Sequence, residues 1–210
     1  MIPTFPVYLF DIDGTLLDSA TDICGAVQDV LSQTPAPPVS FAFLKKYVGF
    51  HLAKLFEELL PGYSSEQVWA LVEEYRRIYP ARGHRETRVY SGVEDTLKRL
   101  PGKKATATTK MTHVARDVLT QFGLAQYFDH IQGTDGFPSK PAPDVLFAAL
   151  GGLAARPEDC LLVGDSSADM EAGHRAGIKT CAVRYGYGEP HELARWEPDY
   201  WVSDLSELLG

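Results

Sequence analysis

Apolar residues recur along this chain in two rhythms. Val7-Tyr-Leu-Phe10 is an unbroken apolar run, closed in front by Pro6 and behind by Asp11-Ile-Asp-Gly-Thr15. A short run of aromatic and branched residues with such boundaries predicts a buried strand. The spacing then turns helical: Ile23, Val27, Val30 and Leu31 share one face, and Leu52, Leu55, Phe56, Leu59 and Leu60 another. Ser64 with Gln67 three residues on is a capping-box pattern, and it opens a third helix carrying Val68, Leu71, Val72 and Tyr75. Pro35-Ala-Pro-Pro38 and Pro61-Gly62 separate these helices. Residues 20 to 88 therefore read as a small all-helical unit.

Beyond it, strands and helices alternate. Ser91 to Leu100 is expected as a helix capped by Ser91 with Glu94, and Ala105 to Thr109 as a strand. Helices follow from Thr112 to Phe122, ended by Gly123, and from Pro143 to Leu150, ended by Gly151. Cys160 to Val163 is a buried strand, Ala168 to Ala176 a helix closed by Gly177, and Thr180 to Val183 a further strand. Such alternation predicts an α/β fold: a Rossmann-like parallel sheet with helices on both faces. The small helical cap, residues 19–88, is inserted after the first strand of a core made of residues 1–18 and 89–210.

Composition narrows the classes. With 210 residues, 45% of them hydrophobic and 23% charged, the chain can bury a sizeable core and does not read as disordered. No apolar stretch reaches the roughly 20 residues that span a bilayer, so no membrane is expected as partner. Met1 to Phe10 lacks a basic region and a cleavage pattern, which leads us to expect a cytoplasmic protein. Cys24, Cys160 and Cys181 are far apart and odd in number, so reduced core thiols are expected. The net charge of −8 argues against a nucleic-acid partner. Residues 19–88 hold 8 basic and 8 acidic side chains, so the remainder carries the whole excess. An acidic core beside a neutral insert suits a site that recruits a cation.

In an open parallel sheet, ligands bind outside the carboxyl ends of the strands. Polar clusters follow predicted strand ends: Asp11-Ile-Asp13-Gly14-Thr15, then Thr108-Thr109-Lys110, then Lys140 before a helix, then Gly164-Asp165-Ser-Ser-Ala-Asp169. Gathered on one rim, Asp11, Asp13, Asp165 and Asp169 repel one another unless a cation neutralises them. Oxygen ligands without Cys or His favour a hard ion such as Mg²⁺. Lys140 adds a compact positive charge and Thr108 a hydroxyl, both suited to phosphoryl oxygens. Gly14 permits a tight turn whose N–H groups can face a phosphate. Lys110 can belong either to the site or to the surface. The whole set is suited to phosphoryl transfer.

These four segments, in this order, resemble the motifs of haloacid-dehalogenase-type phosphatases, and Lys140-Pro-Ala-Pro-Asp144 with Tyr185-Gly-Tyr-Gly188 is most similar to the phosphoglycolate-phosphatase-like group. The resemblance implies a phosphomonoesterase in which Asp11 is the nucleophile and Asp13 the acid and base. It implies that Thr108, Thr109, Lys140 and Gly14 hold the phosphate. Mg²⁺ would be bound by Asp11, the Asp13 carbonyl and Asp165, with Asp169 acting through a water. Where the family commonly has Asn after the hydroxyl residue this chain has Thr109, which puts a secondary contact in question. The expected partner is a small phosphorylated metabolite, 2-phosphoglycolate first, for a monomer or dimer. A pyrophosphatase, a nucleotidase and a sugar phosphomutase share the same core residues. A dehalogenase would not use Asp13, a phosphonatase would need a cap amine such as Lys45, Lys46 or Lys54, and an idle binding subunit would have lost Asp11, Asp13 or Lys140. Lys45, Lys46, His51, Arg82, His84 and Arg85 are the cap side chains with the chemistry to meet the remote end of a substrate, and Gly49 matches the position of a substrate loop.

Overall fold

The computed structural model describes residues 1–210. Strand β1 (Val7–Phe10) lies inside a five-stranded, all-parallel sheet of order β4-β1-β5-β6-β7. Its neighbours are β4 (Lys103–Thr106) and β5 (Cys160–Gly164); β6 (Lys179–Val183) and β7 (Tyr200–Val202) complete one edge. Every residue of β1 is buried, because both faces of the sheet are covered. Tyr8 and Phe10 pack on one side with Leu97 of α5 (Val93–Arg99) and Val118 and Leu119 of α6 (Thr112–Gln121). Val7 and Leu9 pack on the other with Val145, Leu146 and Leu150 of α7 (Asp144–Leu153) and Ala172 of α8 (Ser167–Ala176). Truncating a fully buried side chain such as Leu9 to alanine typically costs about 2–5 kcal/mol.

The chain leaves this core through β2 (Leu17–Asp18) and returns through β3 (Arg88–Val89), an antiparallel ribbon pairing Leu17 with Val89 and Asp18 with Arg88. Between them, α1 (Ala20–Leu31), α2 (Phe41–Lys45), α3 (Leu52–Leu59) and α4 (Ser65–Ala81) enclose their own apolar cluster, with Val27, Leu44, Leu55, Phe56, Val68 and Val72 inside. Ser64 and Gln67 form the expected reciprocal capping box of α4. The last short helix, α9 (Pro190–Ala194), packs Leu193 beside Met170 and Ala182. No helix is long and apolar enough to cross a membrane. All three cysteines are free and buried.

Some boundaries differ from the sequence pattern. Ser91 does not cap α5; Gly92 does, in a left-handed conformation that leaves no room for a side chain beside Asp204. Helix α7 does not stop at Gly151 but runs to Leu153 and closes on Ala154. Gly152 is there because the His130 ring lies where its Cβ would be. Strand β4 ends at Thr106, so Thr108 and Thr109 lie beyond it in the loop at the rim.

Candidate active site

Asp11 follows directly from β1, where its N–H donates to the Val163 carbonyl (3.0 Å), and the Ala107 N–H donates to Phe10 (2.8 Å). Strands β4, β1 and β5 thus end level. Asp11, Asp165, the loop of Thr108 and, from the turn before α7, Lys140 share one rim. Lys140 is completely buried, with its Nζ 3.0 Å from Asp11 Oδ1 and 2.5 Å from Asp169 Oδ1. Burial alone would discharge its amine, but Asp11 and Asp169 together outweigh that and raise its pKa, so it is an ammonium. Burial pushes the Asp11 carboxyl from 3.8 up to about 6, against the pull of Lys140 and with repulsion from Asp169 and Asp13. Asp165 is driven well above the usual carboxylate range by burial and then by Asp169 and Asp11, although the Tyr187 N–H and Lys140 oppose this.

Carboxylate oxygens of Asp11, Asp165 and Asp169 lie within 4.8 Å of one another, all buried. One ammonium cannot neutralise three such groups. Asp11 Oδ1 is sealed from solvent and has the Lys140 ammonium, 3.0 Å away, as its partner. Three buried carboxylates against one ammonium, in an all-oxygen cluster, fit a hard divalent cation.

The carboxylates are not equivalent. Asp169 already spends both oxygens, Oδ1 on Lys140 (2.5 Å) and Oδ2 on the N–H (3.0 Å) and hydroxyl (2.6 Å) of Ser166, where it also closes the capping box of α8. Asp165 accepts from the Tyr187 N–H at 2.7 Å and from Thr15 Oγ1 at 3.3 Å. The Asp13 carboxylate lies outside the three-carboxylate group. Its Oδ1 accepts from the Ser19 hydroxyl and its Oδ2 from Lys110 Nζ at 2.6 Å. Gly14 departs from expectation: its N–H donates to Leu17 (2.8 Å) and is not free for a phosphate. Its φ of +81° and the Asp165 carboxylate, which occupies the space a Cβ would need, explain the glycine instead. Thr108 is buried, its Oγ1 accepting the Lys110 N–H at 3.3 Å, and Thr109 lines a cavity beneath the helical insert.

Two features have a place at the site that the sequence did not assign to them. Lys110 follows no pattern that separates it from a surface lysine, yet its side chain is largely enclosed between Asp13 and the ring of Tyr79, 4.7 Å from the centroid. In Tyr185-Gly-Tyr-Gly188, Gly186 and Gly188 both pack on Asp165 too closely for a Cβ, Tyr185 donates to the Thr15 carbonyl (2.8 Å), and the Tyr187 hydroxyl receives the N–H groups of Ser19 (2.6 Å) and Ala20 (3.0 Å). That loop is the back wall of Asp165.

The helical insert lies against this rim. Gly49, at φ +89°, faces the Ser166 side chain, and Lys45 lies over the Tyr187 ring at 4.9 Å. Between insert and core is a cavity of about 170 Å³ bordered by Asp13, Lys110, Thr109, His51, Tyr75 and Tyr79, among others. Of the cap side chains considered from sequence, His51 lines this cavity, whereas Lys46 lines a separate crevice. Arg82 is tied to Asp29 at 2.5 Å, His84 packs on Tyr79, and Arg85 is exposed.

A parallel α/β sheet with buried carboxylates and a lysine at its strand ends, roofed by a helical insert, defines a class of hydrolase, and comparison with known proteins agrees. Residues 8–183 match the haloacid dehalogenase-like hydrolase family. A phosphoglycolate phosphatase of Aquifex aeolicus is 35% identical over 97% of this chain and 94% of its own length. A 5′-nucleotidase of Pseudomonas aeruginosa is 31% identical over 97% of this chain and 94% of its own. A solved haloacid dehalogenase-like hydrolase of Streptococcus pneumoniae superposes with a TM-score of 0.88 at 28% identity, covering 98% of this chain and 97% of that one. The chain belongs to the haloacid dehalogenase-like hydrolase family.

Proposed function

We propose that the protein is a Mg²⁺-dependent phosphomonoester hydrolase that works through an aspartyl-phosphate on Asp11, with 2-phosphoglycolate as its substrate. The observation that carries this reading is Asp11 itself: a buried strand-end carboxylate, 3.0 Å from a buried ammonium and clustered with the buried carboxylates of Asp165 and Asp169. The Aquifex relative's name supplies the choice of substrate.

In the first step an Asp11 oxygen attacks phosphorus while the bond from phosphorus to the ester oxygen breaks, and Asp13 gives that oxygen a proton. In the second, Asp13 takes a proton from water as the water oxygen attacks phosphorus, the bond to Asp11 breaks, and inorganic phosphate leaves. Lys140 and Thr108 hold the non-bridging oxygens, where charge spreads in the transition state. Asp11 and Asp165, with the Asp13 carbonyl, would hold the ion, and Asp169 keeps Lys140 in place. Bound Mg²⁺ supplies charge neutralisation among the carboxylates and at the transferring phosphoryl group. The insert acts as a cap that excludes water from the acyl phosphate.

Phosphate release should be measured on 2-phosphoglycolate, sugar phosphates, a nucleotide and pyrophosphate, with Mg²⁺, with EDTA, and with Asp11→Asn. The reading requires turnover that EDTA and Asp11→Asn each abolish. Undiminished release in the Asn variant removes the nucleophile, and conversion of a sugar phosphate to its isomer without phosphate release indicates a mutase.

A further inference from the structure

Resting on that reading, we infer that Lys110 is the specificity-determining residue of this site: its ammonium binds a second anionic group, a carboxylate, carried by the leaving group next to the ester oxygen. The site therefore selects phosphomonoesters of short hydroxy acids over esters of neutral alcohols.

Lys110 Nζ lies 2.6 Å from Asp13 Oδ2, and Asp13 is the side chain that meets the ester oxygen. In the phosphate ester of a 2-hydroxy acid, the carboxylate begins two bonds beyond that oxygen. A leaving group seated at hydrogen-bond distance from Asp13 thus brings its carboxylate alongside the neighbouring ammonium. The ammonium is able to take it. It has three N–H donors, and the structure commits one of them, to Asp13. The Lys110 side chain is only 8% exposed and lies over the Tyr79 ring at 4.7 Å, so its charge acts in a partly desolvated, aromatic-walled space where an ion pair gains strength.

Of the full cations lining the cavity, Lys110 is the one that touches Asp13. Arg76 is the second full cation in its lining, but it is tied to Glu73 at 2.5 Å and lies near Trp69 at the exposed side. Without Lys110, a carboxylate on the leaving group would face the Asp13 carboxylate with no positive charge between them, a costly pairing of like charges. For an ester of a neutral alcohol the lysine makes no such difference, and its effect is confined to holding Asp13.

The test compares 2-phosphoglycolate with 2-hydroxyethyl phosphate, in which CH₂OH replaces the carboxylate, on the full-length Mg²⁺-loaded protein. The wild type should show kcat/KM higher by about 30-fold or more for the carboxylate ester, the scale of a partly buried charge pair. Lys110→Met should lower kcat/KM by about 100-fold on 2-phosphoglycolate but by only about 10-fold on 2-hydroxyethyl phosphate, with much of the extra loss in KM. Lys110→Arg, which keeps the charge, should regain most of the discrimination even if Lys110→Met folds poorly. Equal losses on the two esters would overturn the inference, leaving Lys110 as a residue that positions Asp13. A wild type that hydrolyses both esters equally would also overturn it while leaving the phosphatase reading intact. A wild type that hydrolyses neither ester, nor any other phosphomonoester, would remove the reading on which the inference rests.

Discussion

Asp169 is the side chain whose surroundings say most about how this site is held. Both its oxygens are used, on Lys140 and on Ser166, so it fixes the ammonium that faces Asp11 while opening α8. Asp169→Asn would leave the completely buried Lys140 with Asp11 as its one charged partner. Breaking a buried pair in this way costs about 3–5 kcal/mol, and losing a residue that orients an active-site group costs about 10–100-fold in activity. Thermal melts should show the first effect and kcat the second; unchanged stability would mean that Lys140 does not depend on Asp169. At this scale the acidic side chains and Lys140 were legible, because residue types that tolerate burial only in company recur at strand ends. Gly14 was legible as a special position but for another reason, since it makes room for Asp165 and its N–H is already engaged. Lys110 was not legible, because only the tertiary fold places it between Asp13 and Tyr79.

Among the elements, α7 separates two uses of glycine that look alike in sequence. Gly151 has open space around its Cβ direction and no positive φ, whereas at Gly152 a Cβ would run into His130. Gly151→Ala should therefore stabilise the protein by about 0.5–1 kcal/mol, as for any exposed helix glycine, and Gly152→Ala should destabilise it. Urea melts of the two variants check this, and changes of the same sign would show that the His130 contact does not govern the helix. The pattern predicted a stop at Gly151 because a glycine after an apolar helix is the usual end signal; packing against His130 overrides it. The ribbon of β2 and β3 and the edge strand β7 were missed for a simpler reason: two or three residues carry no periodicity. The buried strands β1, β5 and β6 were legible, since a sheet covered on both faces leaves continuous apolar runs.

For the whole molecule, the order β4-β1-β5-β6-β7 could not be read from the chain, yet it brings the carboxylates together and concentrates charge that only a cation relieves. Protonation of Asp11 and Asp165 is easier in the folded metal-free protein than in the unfolded chain. Their stabilising contribution is therefore complete below the ordinary value of 3.8 and is lost as pH rises through the folded value, about 6 for Asp11. Mg²⁺ should accordingly raise Tm more at pH 7.5 than at pH 5, and Asp165→Asn should shrink that difference. A Mg²⁺ effect independent of pH would mean that the ion does not bind among these groups. The central claim, that Asp11 carries the phosphoryl group, is tested most directly by acid-quenching the Mg²⁺-loaded enzyme during turnover of labelled 2-phosphoglycolate and mapping the label by peptide mass spectrometry. The account predicts label on the peptide containing Asp11, absent in Asp11→Asn. Label on another residue, or steady turnover with no labelled protein at any time point, would contradict it.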